Sequence, residues 1–96
     1  MSRMVVGTLS LKVAVFDATS LKDKRRVISS LKDRLRGRFN VSVAEVGSLD
    51  RRQQAELGVA VVGNNGRFVG SCLDKIVDYV RLDRSASLVD YEVEVF

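Results

Sequence analysis

Lys22, Lys24, Arg25, Arg26, Lys32, Arg34, Arg36 and Arg38 fall between Leu21 and Phe39, opposed there only by Asp23 and Asp33, so one helix-length segment carries +6. The whole 96-residue chain carries +4, which leaves −2 for everything else. Ammonium and guanidinium groups at this density displace the counterions condensed on a phosphate backbone, the main source of sequence-independent nucleic-acid affinity. Two acids cannot neutralise eight cations through i,i+4 pairs, so the like charges repel by about a few tenths of a kcal/mol per pair. A partner that relieves this repulsion is expected, and RNA is the one the pattern favours.

Covalent chemistry is poorly served by the same chain. It contains no histidine, which removes the usual general base and the commonest metal ligand. Cys72 is the single cysteine, too few for a disulfide or a cysteine-based zinc site within one chain, and it reads as a small apolar residue on a helix. Asp90, Glu92 and Glu94 alternate along one face of a predicted strand, about 6.6–6.8 Å apart. Carboxylates so placed more often keep an edge strand from pairing with another sheet than hold a cation. We expect no catalytic residue, no metal site and no cofactor.

The elements that must position the cations follow from periodicity. Met4–Phe16 alternates, with Val5, Gly7, Leu9, Leu11, Val13 and Val15 on one face of a long half-buried strand. Ser20 with Asp23 three residues later resembles a capping box, so a helix begins near Leu21; Val27, Ile28, Leu31, Leu35 and Phe39 form its apolar side and Gly37 marks its C-terminal region. Two further strands, 40–46 and 55–62, are joined by a polar connection longer than a tight hairpin and expected to be mobile. A second helix follows Gly63-Asn64-Asn65-Gly66 with the stripe Phe68, Val69, Cys72, Leu73, Ile76 and Val80 turned to the core. The last strand sets Val89, Tyr91, Val93 and Val95 against Asp90, Glu92 and Glu94.

The order β-α-β-β-α-β is that of a ferredoxin-like α+β fold: one domain over residues 1–96, with a four-stranded antiparallel sheet and two helices on one face. Strands alternating up and down bring the turn into the first helix, the loop near Arg51 and the turn near Arg84 to one end. Lys22, Lys24, Arg25, Arg26, Arg51, Arg52 and Arg84 are thus expected at one edge, beside a helix N-terminus that adds roughly half a positive charge.

Two motifs with nucleic-acid associations are weaker. Gly63-Asn64-Asn65-Gly66 matches the GxxG of KH domains, but it joins a strand to a helix and suits a turn followed by an Asn cap. Asn65-Gly66-Arg67-Phe68-Val69 resembles the RNP1 string of RRM domains, whose aromatics lie on a central strand rather than at a helix start. The open sheet face expected here offers at most one aromatic, Phe16, and so is no stacking platform.

Ser20-Leu21-Lys22-Asp23-Lys24-Arg25-Arg26, then Leu31 to Arg36, Phe39 to Val46 and Glu56 to Val62, resemble the YlxP-like family of small bacterial proteins, over nearly the whole chain. The resemblance implies a ferredoxin-like fold and, from the family's typical gene setting beside translation and ribosome-binding factors, a role in translation or ribosome maturation; it transfers no catalytic residue. The expected function is a non-enzymatic accessory protein that contacts ribosomal RNA or a ribosomal particle through Lys22, Lys24, Arg25, Arg26 and Arg51, supported by Arg52 and Lys32. Neutralising about 4–6 phosphates would give a log–log salt slope of about −3 to −5. The alternatives are a homodimeric protein-interaction module and a small-anion sensor at Ser20–Lys22. Apolar runs fall far short of the ~20 residues of a membrane span, and Met1–Met4 lead into a strand without an apolar leader, which makes the cytoplasm the expected location.

Overall fold

The computed structural model describes residues 3–96. Six elements follow in the expected order: β1 (Val5–Ala14), α1 (Leu21–Arg38), β2 (Ser42–Gly47), β3 (Gln54–Gly63), α2 (Gly66–Arg81) and β4 (Ser87–Val95). The strands form one antiparallel sheet in the order β2-β3-β1-β4, the ferredoxin-like arrangement. Leu9, Leu11 and Val13 of β1 and Leu57 and Val59 of β3 meet Ile28, Leu31 and Leu35 of α1 and Leu73, Ile76 and Val80 of α2 in a single core. Gly7 sits where α2 comes closest to the sheet: a Cβ there would overlap the Val69 side chain and lie 2.8 Å from Leu73 Cδ1.

Local chemistry fixes the helix starts. Ser20 Oγ accepts the Asp23 N–H at 3.1 Å, the expected N-cap. The Asp23 carboxylate completes the cap one residue earlier than a standard box, accepting the Thr19 N–H at 3.1 Å and its hydroxyl at 2.6 Å. Gly37 stays helical, and α1 stops at Phe39, whose backbone turns extended. In α2, Asn65 Oδ1 accepts the N–H groups of Arg67 (2.9 Å) and Phe68 (3.2 Å); no glycine adopts positive φ, so this turn uses the Asn cap alone.

Three sequence expectations change. Phe68 does not face the core: as the third residue of α2 it precedes the first buried turn at Val69 and stands 64% exposed. A bulge opposite Lys12/Val13 shifts the start of β4, so Leu88 packs inward and Val89 is expelled to solvent. Phe16 lies beyond the end of β1, in the turn toward α1, and not on the open sheet face. That face carries Thr8, Ser10, Gly58 and Ala60, walled along β4 by Asp90, Glu92 and Glu94 in register with Lys12, Ser10 and Thr8. No helix among the described residues is long and apolar enough to cross a membrane.

Candidate nucleic-acid interface

The basic segment divides into cations with internal work and cations left for a partner. Lys24 belongs to the first group, which corrects its expected place on the phosphate surface: its side chain is 0% exposed. Its Nζ donates to the carbonyls of Ser48 (2.9 Å), Leu49 (3.4 Å) and Gln54 (3.2 Å), and Glu45 Oε2 lies 3.0 Å away as counter-charge. Those three carbonyls take all the ammonium's donors, and Glu45 Oε2 receives no well-aligned hydrogen bond. Spacing carried the signal, since Lys24, Ile28, Leu31 and Leu35 recur at four-three-four intervals along the buried stripe. A lysine on such a stripe requires internal acceptors.

The same lysine ties down the 47–54 connection, which its length and polarity led us to expect to be mobile. Ser48 adopts left-handed backbone (φ 57), uncommon for a residue with a Cβ, and is held there from three sides. Lys24 binds its carbonyl, Gln54 Nε2 donates to its hydroxyl (3.2 Å), and that hydroxyl donates to Glu56 (3.1 Å). Arg51 N–H closes the turn on Ser48 O at 3.0 Å. Arg51 and Arg52 are therefore displayed from a tied loop.

Lys22, Arg25 and Arg26 are exposed on the outer face of the first turns of α1, sharing a surface with Ser29, Ser30, Asp33 and Arg34. Arg51 and Arg52 border a second groove with Ala18, Thr19 and Gln53, where Arg52 donates to Thr19 O at 3.4 Å. Since Thr19 immediately precedes the Ser20 cap, the loop and the helix start form one end of the molecule, as the topology required. Lys32 is half-buried on the helix flank. Among the described residues none of Lys22, Arg25, Arg26, Lys32, Arg51 and Arg52 has a carboxylate within 4.0 Å.

The remaining cations of α1 are engaged elsewhere. Arg34 binds Asp83 at 2.6 Å, so the turn bearing Arg84 attaches about three quarters of the way along α1, roughly 20 Å from its start, and not to its first turn. Burial pushes the Asp83 carboxyl up, but hydrogen bonds from Ser85, Arg34 and the Ala86 N–H outweigh it and hold the group below the usual carboxylate range. The Asp83 hydrogen bond correspondingly raises Arg34. Asp23 is lowered by the two hydrogen bonds from Thr19. Arg36 pairs with Asp33 (3.3 Å) and donates to Val43 O (2.9 Å), filling an acceptor of edge strand β2, and Arg38 lies over the Tyr79 ring.

Residues 6–93 match the family model described as a protein of unknown function, DUF503. The chain belongs to this family. A fellow YlxP-like protein, the uncharacterized protein YlxP of Bacillus subtilis (strain 168), is 34% identical over 76 residues, covering 79% of this chain and 83% of the relative. Among solved structures, the de novo designed protein Foldit4 superposes with a TM-score of 0.54 over 98% of this chain and 97% of its own, at 17% identity. An identity that low speaks for the fold alone. DUF503 membership carries no reaction, so the surface itself has to indicate the activity. Among the described residues no group of three or more histidine, cysteine or carboxylate side chains is arranged to hold a metal ion.

Proposed function

We propose that the protein acts by binding rather than catalysis, contacting ribosomal RNA or a ribosomal particle through Lys22, Arg25, Arg26, Arg51 and Arg52, with Lys32 in support. The observation that carries this reading is the set of cations left without carboxylate partners at one end, while Lys24, Arg34 and Arg36 of the same segment are paired. A surface evolved only for solubility would intersperse both signs. Phosphate contacts supply affinity with little base specificity. The homodimer alternative through sheet edges is less favoured, because β4 carries Asp90, Glu92 and Glu94 and β2 has Arg36 bound to Val43 O.

Co-sedimentation with ribosomal subunits at low and high salt tests the proposal beside an Arg25→Glu/Arg26→Glu variant. Salt-sensitive binding that the variant loses is expected. Salt-independent binding, or binding untouched by the double reversal, rejects it, and a stable dimer that ignores RNA would favour the alternative.

A further inference from the structure

Phe16 combines three properties that its neighbours do not share. Its ring is 70% exposed. Its backbone is fixed: Gln53 Nε2 donates to Phe16 O at 3.0 Å, Val15 N–H to Gln53 O at 2.9 Å, and Ala18 N–H closes the turn on Val15 O at 3.1 Å. The residue that fixes it, Gln53, directly follows Arg51 and Arg52 and lines the same groove. A solvent-facing phenyl ring whose backbone is tied to the residue following two arginines without carboxylate partners brings together what single-strand binding uses, cations tracking the backbone and an aromatic face receiving a base. In a duplex the base faces are already stacked and cannot use the ring.

We infer that Phe16 is a base-stacking platform that makes the basic end selective for unpaired RNA, an inference that rests on the RNA-binding reading above. The nearby acids Asp17 and Asp50 are both exposed, and the five exposed cations of this end outnumber them together with Asp23. Phe16 belongs neither to the core cluster nor to the residues packed against it, so replacing it leaves the core of β1, β3 and the helices untouched.

The chain contains no tryptophan, so Phe16→Trp introduces the single indole, excited apart from Tyr79 and Tyr91, at the proposed contact. Titration with a uridine dodecamer and with a blunt RNA duplex of the same length, for wild type, Phe16→Trp and Phe16→Ala, separates the outcomes. Expected are quenching of the introduced indole by the single strand, single-strand affinity of Phe16→Ala weakened about five- to a hundredfold with an unchanged salt slope, and equal duplex binding by wild type and Phe16→Ala. If Phe16→Ala binds the single strand as tightly as wild type, stacking falls while the basic end stands. Equal weakening on strand and duplex also overturns it, as does loss of subunit binding with oligomer binding intact, which would make the ring a protein contact. Salt-dependent binding of neither RNA by wild type sinks both readings.

Discussion

At the scale of single residues, Lys24 separates two uses of a positive charge. Removing one partner of a buried ion pair usually costs about 3–5 kcal/mol, whereas replacing both is often close to neutral. Here Glu45 retains 14% exposure and Lys24 also satisfies three loop carbonyls, so the carbonyls should dominate. Lys24→Met is expected to lower stability by about 3 kcal/mol in urea unfolding, and adding Glu45→Gln to restore less than about 1 kcal/mol. Restoration of most of the loss would mean that the ion pair, not the loop, is what Lys24 serves. Asp83 gives a pH-dependent counterpart. Its folded-state pKa lies below the unfolded value near 3.9, so its contribution is present above about pH 4 and lost as the pH falls through the folded value. Asp83→Asn should lower stability at neutral pH by about 1 kcal/mol, discounted for its partly exposed Arg34 partner, and flatten the acid limb of a stability-against-pH curve. An unaltered acid limb would assign that limb to other carboxylates.

At the scale of elements, close approach decides more than propensity. Val69 and Leu73 are fully buried, and Val69 is β-branched, so neither side chain can retreat from a methyl group added at Gly7. Gly7→Ala should therefore cost about 1–3 kcal/mol, a fall in melting temperature of roughly 4–8 °C per kcal/mol for a domain of this size. An unchanged melting curve would mean that α2 slides on the sheet without loss. Element order, and the meeting of the start of α1 with the Arg51–Arg52 loop, were legible in the sequence because alternation over β1, β3 and β4 and the 3.6-residue stripe of α1 are strong local signals. Val89 escapes a reading by alternation because a bulge inverts parity without a sequence mark, and Phe68 because the first turn of a helix can carry a stripe residue past the edge of its sheet. Lys24 was legible in part: its charge pointed outward while its spacing pointed inward, and only the topology, which brings the Ser48 and Gln54 carbonyls over it, decides between them. The Arg34–Asp83 clamp joins residues 49 apart and had no local signature at all.

At the scale of the molecule, charge is segregated along a body 52 Å long and 23 × 22 Å across. Lys22, Arg25, Arg26, Arg51 and Arg52 occupy the end where β1 finishes, while Glu92 and Glu94 face Ser10 and Thr8 nearer its start. Ser10 lies four and Thr8 six residue steps from Ala14, about 13 and 20 Å of strand. The screening length at physiological salt is about 8 Å, so phosphate bound at the basic end barely senses those carboxylates. Glu92→Gln/Glu94→Gln should therefore change RNA affinity by less than about threefold at physiological salt, although it alters net charge as much as two added lysines would. Arg25→Glu/Arg26→Glu should instead remove about two phosphate contacts, making the log–log salt slope shallower by about 1.4–1.8 and lowering affinity at every salt concentration tested. An affinity gain from the glutamate pair about half as large, on a log scale, as the loss from the arginine pair would match their charge changes of +2 and −4 and mean that RNA responds to net charge alone. A response confined to the arginine pair would instead localise the phosphate path to the outer face of α1.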